Sequence, residues 1–170
     1  MSSEKVVLTG DGSLPDQGRF TQFLDSLGYK CELSPDFSFS ITDERFFGIK
    51  VLDYPSEKPR VKPERNFIVC IGAEELLSNN FEIDEPIWAN SKQKLIFRSS
   101  AGRSNLTYAM QNLLCGYLAQ ETNGYLYDPQ QGDLLGPAEA VRNELESIKK
   151  YGAPHDLSLI HISEPTRHRR

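Results

Sequence analysis

Tyr29-Lys30-Cys31-Glu32-Leu33, Phe37-Ser38-Phe39-Ser40-Ile41 and Phe46-Phe47-Gly48-Ile49-Lys50-Val51-Leu52-Asp53-Tyr54 follow one another with only short breaks. Successive side chains of a strand point to opposite faces, so alternation of apolar with polar or small residues predicts strands buried on one side. Phe37, Phe39 and Ile41 share one side of the second segment, and Phe47, Ile49 and Val51 share one side of the third. Thr42-Asp43-Glu44-Arg45 reads as the hairpin connection between them. Strands that arrive in a run pair antiparallel, because a parallel crossover needs a dozen or more intervening residues. This stretch therefore predicts an α+β fold rather than a doubly wound parallel sheet.

The flanking segments complete that expectation. Lys5 to Thr9 reads as a short buried strand, and Asn66 to Ile71 and Lys94 to Arg98 as two more. Asp16 can cap a helix running to about Leu27, with Phe20, Phe23, Leu24 and Leu27 on one face and Gly28 as its stop. The broadest apolar stripe lies between Asn105 and about Thr122, through Leu106, Ala109, Met110, Leu113, Leu114, Tyr117 and Leu118. A third helix is expected from Pro137 to Lys150, with Ala140, Val141, Leu145 and Ile148 inward. Ala73 to Leu77 reads as a short helix, Asn79 to Ser91 as irregular, and Pro55 to Arg65 as a proline-rich loop. The expected architecture is one domain over residues 1–152, a mostly antiparallel sheet with three main helices mainly on one face. Its expected core is Val7, Phe23, Leu27, Phe47, Ile49, Ile68, Cys70, Ile96, Met110, Leu113 and Leu114.

Composition narrows the function classes. The chain has 170 residues, 38% hydrophobic and 25% charged, with a net charge of −5. That length suits one domain with a self-sufficient core. No apolar run approaches a membrane span, and Val6-Val7-Leu8 is too short for a secretory core, so a cytoplasmic protein without membrane contact is expected. Cys31, Cys70 and Cys115 are odd in number and far apart, which predicts buried free thiols rather than disulfides or a zinc site. The lone basic cluster, Lys58 to Arg65, is broken by prolines and acids, which argues against nucleic-acid binding.

All three histidines, His155, His161 and His168, fall after the last periodic segment. Histidine is the commonest general acid–base, so Ser-His-Asp, Cys-His and HExxH chemistry has no residues to use within the fold. Glu74-Glu75 and Glu144/Glu146 read as solvated helix faces. No catalytic residue, metal ligand or cofactor is assigned. Gly10-Asp11-Gly12 lacks a third glycine, with Pro15 in its place, and reads as a turn rather than a phosphate loop.

Two regions carry binding expectations. Arg98-Ser99-Ser100-Ala101-Gly102-Arg103-Ser104-Asn105 leads a strand into the longest helix. Free N–H groups and two cations there suit an anion, held by Arg98, Gly102, Arg103 and Ser104, while the plainer reading is a helix cap. An enzyme or sensor for a phosphorylated small molecule would use this loop. Phe81-Glu82-Ile83-Asp84-Glu85-Pro86-Ile87-Trp88 interleaves apolar residues with acids, offering Phe81, Asp84, Glu85 and Trp88 to a basic partner protein. The plainer reading tucks Ile83 and Trp88 into the core.

Tyr125, Tyr127 and Asp128 join the second set through their context. Leu118-Ala119-x-x-Thr122-x-Gly124 followed by Tyr127-Asp128-Pro129-x-x-Gly132 resembles a pattern in small bacterial α+β proteins, some of them immunity proteins that neutralise toxins by binding them. The resemblance spans about fifteen residues and implies a binding role without catalytic residues. A second resemblance concerns the end of the chain. Leu157 to Arg167, L-S-L-I-H-I-S-E-P-T-R, resembles a translated transposase sequencing adapter. It implies that 157–170 stands outside the native fold, as part of a tail from 153. Residues 157–170 carry three arginines against one glutamate, a net of +2, so residues 1–156 are the more acidic, −5 − 2 = −7.

Overall fold

The computed structural model describes residues 2–55 and 67–152. The basic loop around 58–65, His155 and the adapter-like tail lie outside the described residues. Seven strands form one antiparallel sheet: β1 (Ser3–Leu8), β2 (Lys30–Leu33), β3 (Arg45–Asp53), β4 (Phe67–Glu75), β5 (Lys94–Ser99), β6 (Tyr125–Asp128) and β7 (Asp133–Leu135). Their order across the sheet is β2-β3-β4-β5-β1-β6-β7. Four helices accompany them: α1 (Gln17–Ser26), α2 (Glu85–Asn90), α3 (Asn105–Glu121) and α4 (Pro137–Ser147), the last continued by a π-helical turn, Ile148–Gly152. The fold is α+β, as the run of strands predicts.

Strand parity divides the molecule into two layers. Val7, Phe47, Ile49, Val51, Val69, Ile71, Leu95, Phe97 and Leu126 face one way and form the main core with Phe20, Leu24, Leu106, Met110, Leu113, Leu114 and Leu118 of α1 and α3. The helix α3 is buried on nearly all sides, because α4 packs on its back: a Cβ on Gly116 would lie 3.3 Å from the Ala140 carbonyl and the Glu144 side chain. Val6, Leu8 and Ile96 face the opposite way and form a smaller core with Ile83 and Trp88. The helices therefore divide into α1, α3 and α4 on one face and the short α2 on the other.

The helix ends follow local chemistry. The Asp16 carboxylate accepts from the Arg19 N–H at 2.8 Å, and Gly28 leaves α1 with φ +89°, a conformation that side chains disfavour. The Ser104 hydroxyl accepts from the Thr107 N–H and caps α3.

Four expectations are corrected. Residues 37–41 form no strand, although Phe37, Phe39 and Ile41 are all buried. Their alternation instead feeds an aromatic cluster in which Phe37 stacks on Phe20 at 5.7 Å and meets Phe47 at 4.7 Å, while β2 pairs directly with β3. Ala73 to Glu75 extends β4 instead of starting a helix, held by Ala73↔Phe97, Glu74↔Ile96 and Glu75↔Leu95 pairing. Within the segment expected to be irregular, α2 forms. Finally, Val69, Ile71 and Ala73 are the inward residues of β4, so Ile68 and Cys70 point out and are exposed. Phe23 and Leu27 are half-buried against the main core.

Candidate functional site

The Phe81–Trp88 segment is a rigid ledge. Asn79 brackets Ile83, its carbonyl oxygen accepting from the Ile83 N–H at 3.0 Å and its amide donating to the Ile83 carbonyl. Glu82 is held at φ +57°, the left-handed region that a residue with a Cβ occupies only under constraint. Pro86 starts α2, and the Trp88 N–H closes its first turn on the Asp84 carbonyl. This conformation sorts the side chains. Ile83 and Trp88 turn inward, while Glu82, Asp84 and Glu85 remain exposed. Trp88 is 7% exposed and lies under the Lys94 ammonium, 5.6 Å from the ring centroid. It is thus a foundation of the ledge, correcting the expectation that it is a surface anchor.

The second segment meets the first. Tyr125 and Tyr127 lie on the outer face of β6, because β6 pairs with β1 through Val6↔Tyr127 and Leu8↔Tyr125. The Tyr127 and Phe81 rings touch, with centroids 6.1 Å apart at 59°. Both are half-buried, Tyr125 is 36% exposed, and Leu77, in the loop leading to the ledge, is 95% exposed. The fold therefore gathers Phe81, Tyr125, Tyr127, Asp84 and Glu85 from the expected set, and adds Glu82, on one side of the molecule.

Asp128 departs from that surface. Strand parity turns it to the helix-covered face, where its carboxylate accepts from the Lys5 ammonium at 3.1 Å. The same ammonium donates to both Glu144 oxygens, at 3.2 and 3.3 Å. Lys5 is 3% and Glu144 1% exposed, so Glu144 is no solvated helix residue. Burial alone would lower the Lys5 pKa, but the Glu144 and Asp128 carboxylates outweigh it and hold the ammonium above its usual range. Burial raises the Glu144 pKa, against the opposing pull of Lys5. The Cys115 thiol, fully buried nearby, is pushed well above its usual range by desolvation. The signal for this cluster was present in the sequence: Lys5 shares the parity of Val7, two residues on, and so points to the same face.

The 98–105 loop resolves into separate parts. Arg98 points to the outer face of the sheet, where it pairs with Glu74 at 2.7 Å and Glu4 at 3.9 Å. Ser104 caps α3 on the helix-covered side. Arg103 lies over the Tyr108 ring at 5.8 Å and donates to the Ser100 carbonyl, and Gly102 has open space around it. Arg98 and the α3 N-terminus thus belong to different sides of the sheet. Gly10 and Gly12 pack against the carbonyls of Glu121, Thr122 and Asn123, so that a Cβ at either would clash at 2.2 to 2.6 Å. Their absent side chains admit the end of α3, which accounts for the Gly-Asp-Gly turn.

Among the described residues no group of three His, Cys, Asp or Glu side chains could hold a metal ion, and no helix is long and apolar enough to cross a membrane. No family model, curated protein or solved structure matches the chain.

Proposed function

We propose that this chain is a non-catalytic binding protein that captures a basic partner protein on the surface formed by Phe81, Tyr125 and Tyr127 with Glu82, Asp84 and Glu85. The supporting observation is the Phe81–Tyr127 ring contact. It joins two segments far apart in the chain, one acidic and aromatic in composition and one that resembles immunity-type proteins. Half-exposed aromatics supply rigid contact area at low entropic cost, and surrounding carboxylates accelerate encounter with a cationic partner. The Asn79 bracket and the left-handed Glu82 fix the ledge before any partner arrives, which lowers the ordering cost of binding. A bacterial immunity protein that masks a basic toxin is the specific form of this reading. The loop-centred alternative, an enzyme or sensor for a phosphorylated compound, has less support, because Arg98 is engaged by Glu74 and Glu4 away from the α3 N-terminus.

The test is direct binding to a basic protein recovered from the source cells, measured for wild type and three variants. Tyr127→Ala and Phe81→Ala should each weaken binding by about 2 kcal/mol, mainly through faster dissociation. Asp84→Lys with Glu85→Lys should slow association and flatten its dependence on salt. A captured basic protein whose affinity is indifferent to all of these changes would show that this surface is not the site. Turnover of a phosphorylated metabolite that is lost in Arg103→Ala would favour the alternative.

A further inference from the structure

Where β1 ends, three segments enclose a cleft of about 380 Å³. The 10–12 turn is pinned by the Gly12 N–H, which donates to the Thr122 carbonyl at 3.0 Å, and by the Asn123 amide, which donates to the Asp11 carboxylate at 3.2 Å. The 92–93 turn is tied to the end of β1: the Lys92 N–H donates to the Thr9 carbonyl at 2.9 Å, and the Gln93 N–H to the Thr9 hydroxyl at 2.8 Å. Ser40 adds the third side, next to Ile41, whose carbonyl accepts from the Gln93 side-chain amide at 3.2 Å. The walls are thus fixed by bonds of their own, yet polar groups of Asp11, Lys92 and Gln93 remain uncommitted. We propose that this cleft binds a free α-amino acid as its zwitterion, the ammonium toward Gln93 and Asp11 and the carboxylate toward Lys92.

The demand for a donor comes from Gln93. Its Oε1 is buried and accepts no hydrogen bond among the described residues. A buried acceptor has lost its hydration without return, so a donor brought into the cleft gains a bond and displaces none. Rotation of the amide does not remove this demand. The nitrogen donates to the Ile41 carbonyl, and a flip would set two carbonyl oxygens against each other. Asp11 lies on the same cleft and is engaged through Oδ1 alone. A carbonyl oxygen beside a carboxylate favours a cationic donor over a neutral one. Lys92 has the opposite preference, because its ammonium makes no ion pair among the described residues. A ligand with a carboxylate only would meet Asp11, and one with an ammonium only would meet Lys92, so a ligand bearing one charge of each sign suits both. The volume lies near the small end of the roughly 300–1,000 Å³ that small-molecule sites occupy, which suits a single amino acid. Leu14, also on the wall and 38% exposed, offers an apolar contact for its side chain. This inference does not rest on the ledge, whose residues do not line the cleft.

The test is a proton–nitrogen correlation titration of the full chain with each standard amino acid in turn, up to about 10 mM. The expected result is that at least one with an apolar side chain shifts the Gly10, Asp11 and Gly12 amides and the Gln93 side-chain amide, and that the shifts saturate. The same compound without its ammonium, and the same compound with its carboxylate as an uncharged amide, should each bind at least about tenfold more weakly. Asp11→Asn and Lys92→Met should weaken binding by about tenfold each. Both side chains are exposed, so the denaturation midpoint should stay near that of wild type. If no amino acid moves these signals, the proposal is overturned. Equal binding of the compound lacking either charge also overturns it, as do shifts that survive both substitutions, since the contact is then not made by these groups.

Discussion

On the helix-covered face of the sheet Val7, Ile49, Ile71 and Phe97 are fully buried, whereas on the opposite face Ile68 and Phe46 stand mostly in solvent. Both faces are built by the same strands, but the outer one mixes Phe46 and Ile68 with Glu32, Lys50, Glu74 and Arg98. The faces also differ in what arrives to cover them. Ten residues of α1 and seventeen of α3 carry continuous apolar stripes to the first face, with α4 behind. The second receives only the six-residue α2 and the loop before it. A sheet face thus becomes a core where an apolar strand face and an apolar cover meet.

The sharpest break of this comparison lies at the buried charged cluster of the covered face. Lys5→Ala leaves two carboxylates, Glu144 and Asp128, without their cation in a site almost closed to water. The expected cost is about 3–5 kcal/mol, read as a loss of denaturant midpoint at constant slope. Lys5→Met combined with Glu144→Met should recover much of it, since an apolar replacement of both partners removes the uncompensated charge. If Lys5→Ala is as stable as wild type, the cluster is solvated and the geometry is wrong.

Isoleucine in β4 provides an internal control, because Ile68 and Ile71 lie on opposite faces of one strand. Ile71→Ala should cost about 2–5 kcal/mol, from lost burial and the cavity left behind. Ile68→Ala should change stability by no more than about 0.5 kcal/mol. Equal costs would erase the distinction between the faces.

This pair also shows how far sequence reading reached. Phe67-Ile68-Val69-Cys70-Ile71 is apolar at both parities, so it announces a strand but not which side faces the helices. Its register against β3, Ile49↔Val69 and Phe47↔Ile71, settles that only after folding. The long helix α3 was legible because its stripe repeats over several turns, and Asp16, Ser104 and Gly28 mark their helix ends by local chemistry. Residues 37–41 misled because alternation reports burial, and here aromatic packing buries the residues without a strand ladder. The candidate surface was legible in pieces. Phe81 and Tyr127 meet because β1 lies between β5 and β6, a non-local arrangement that no local pattern encodes. Trp88 and Asp128 were misassigned for the same reason: composition marks a residue as available, but parity and turn geometry decide the side on which it emerges.

The covered face should also respond to alkali. Burial pushes the Cys31 thiol and the Tyr29 hydroxyl each up to about 12, above their ordinary values of 9.0 and 10.0. These pKa values are raised on folding, so their stabilisation is complete below the unfolded values and is lost as pH rises toward the folded ones. Stability should therefore fall above about pH 9, by roughly 1.4 kcal/mol per pH unit for each group that the unfolded chain has deprotonated and the folded chain has not. Cys31→Ala should make the decline shallower between pH 9 and 10, where that thiol acts first. A flat profile between pH 9 and 11 would mean that both groups reach water in the folded state.

The smallest effects concern the 98–105 loop, where the chain passes from one face to the other, and they separate its two ends. Ser104 belongs to the covered side. It satisfies one of the free N–H groups at the start of α3, so Ser104→Ala should cost about 1 kcal/mol and Ser104→Asp should retain most of the stability. Arg98 belongs to the open side, with both its carboxylate partners well exposed to solvent. Screening and side-chain entropy leave such pairs little net value, so Arg98→Ala should change stability by less than about 0.5 kcal/mol, and less still in high salt. Phosphate distinguishes the cap from an anion site. If the loop acts only as a cap, millimolar phosphate stabilises wild type and Arg98→Ala equally, through general salt effects. If Arg98 and the α3 N-terminus jointly hold an anion, phosphate must stabilise wild type more and shift the Gly102 and Ser104 amide resonances. Given that the two ends of this loop emerge on opposite sides of the sheet, the expected result is no selective stabilisation and unmoved amides.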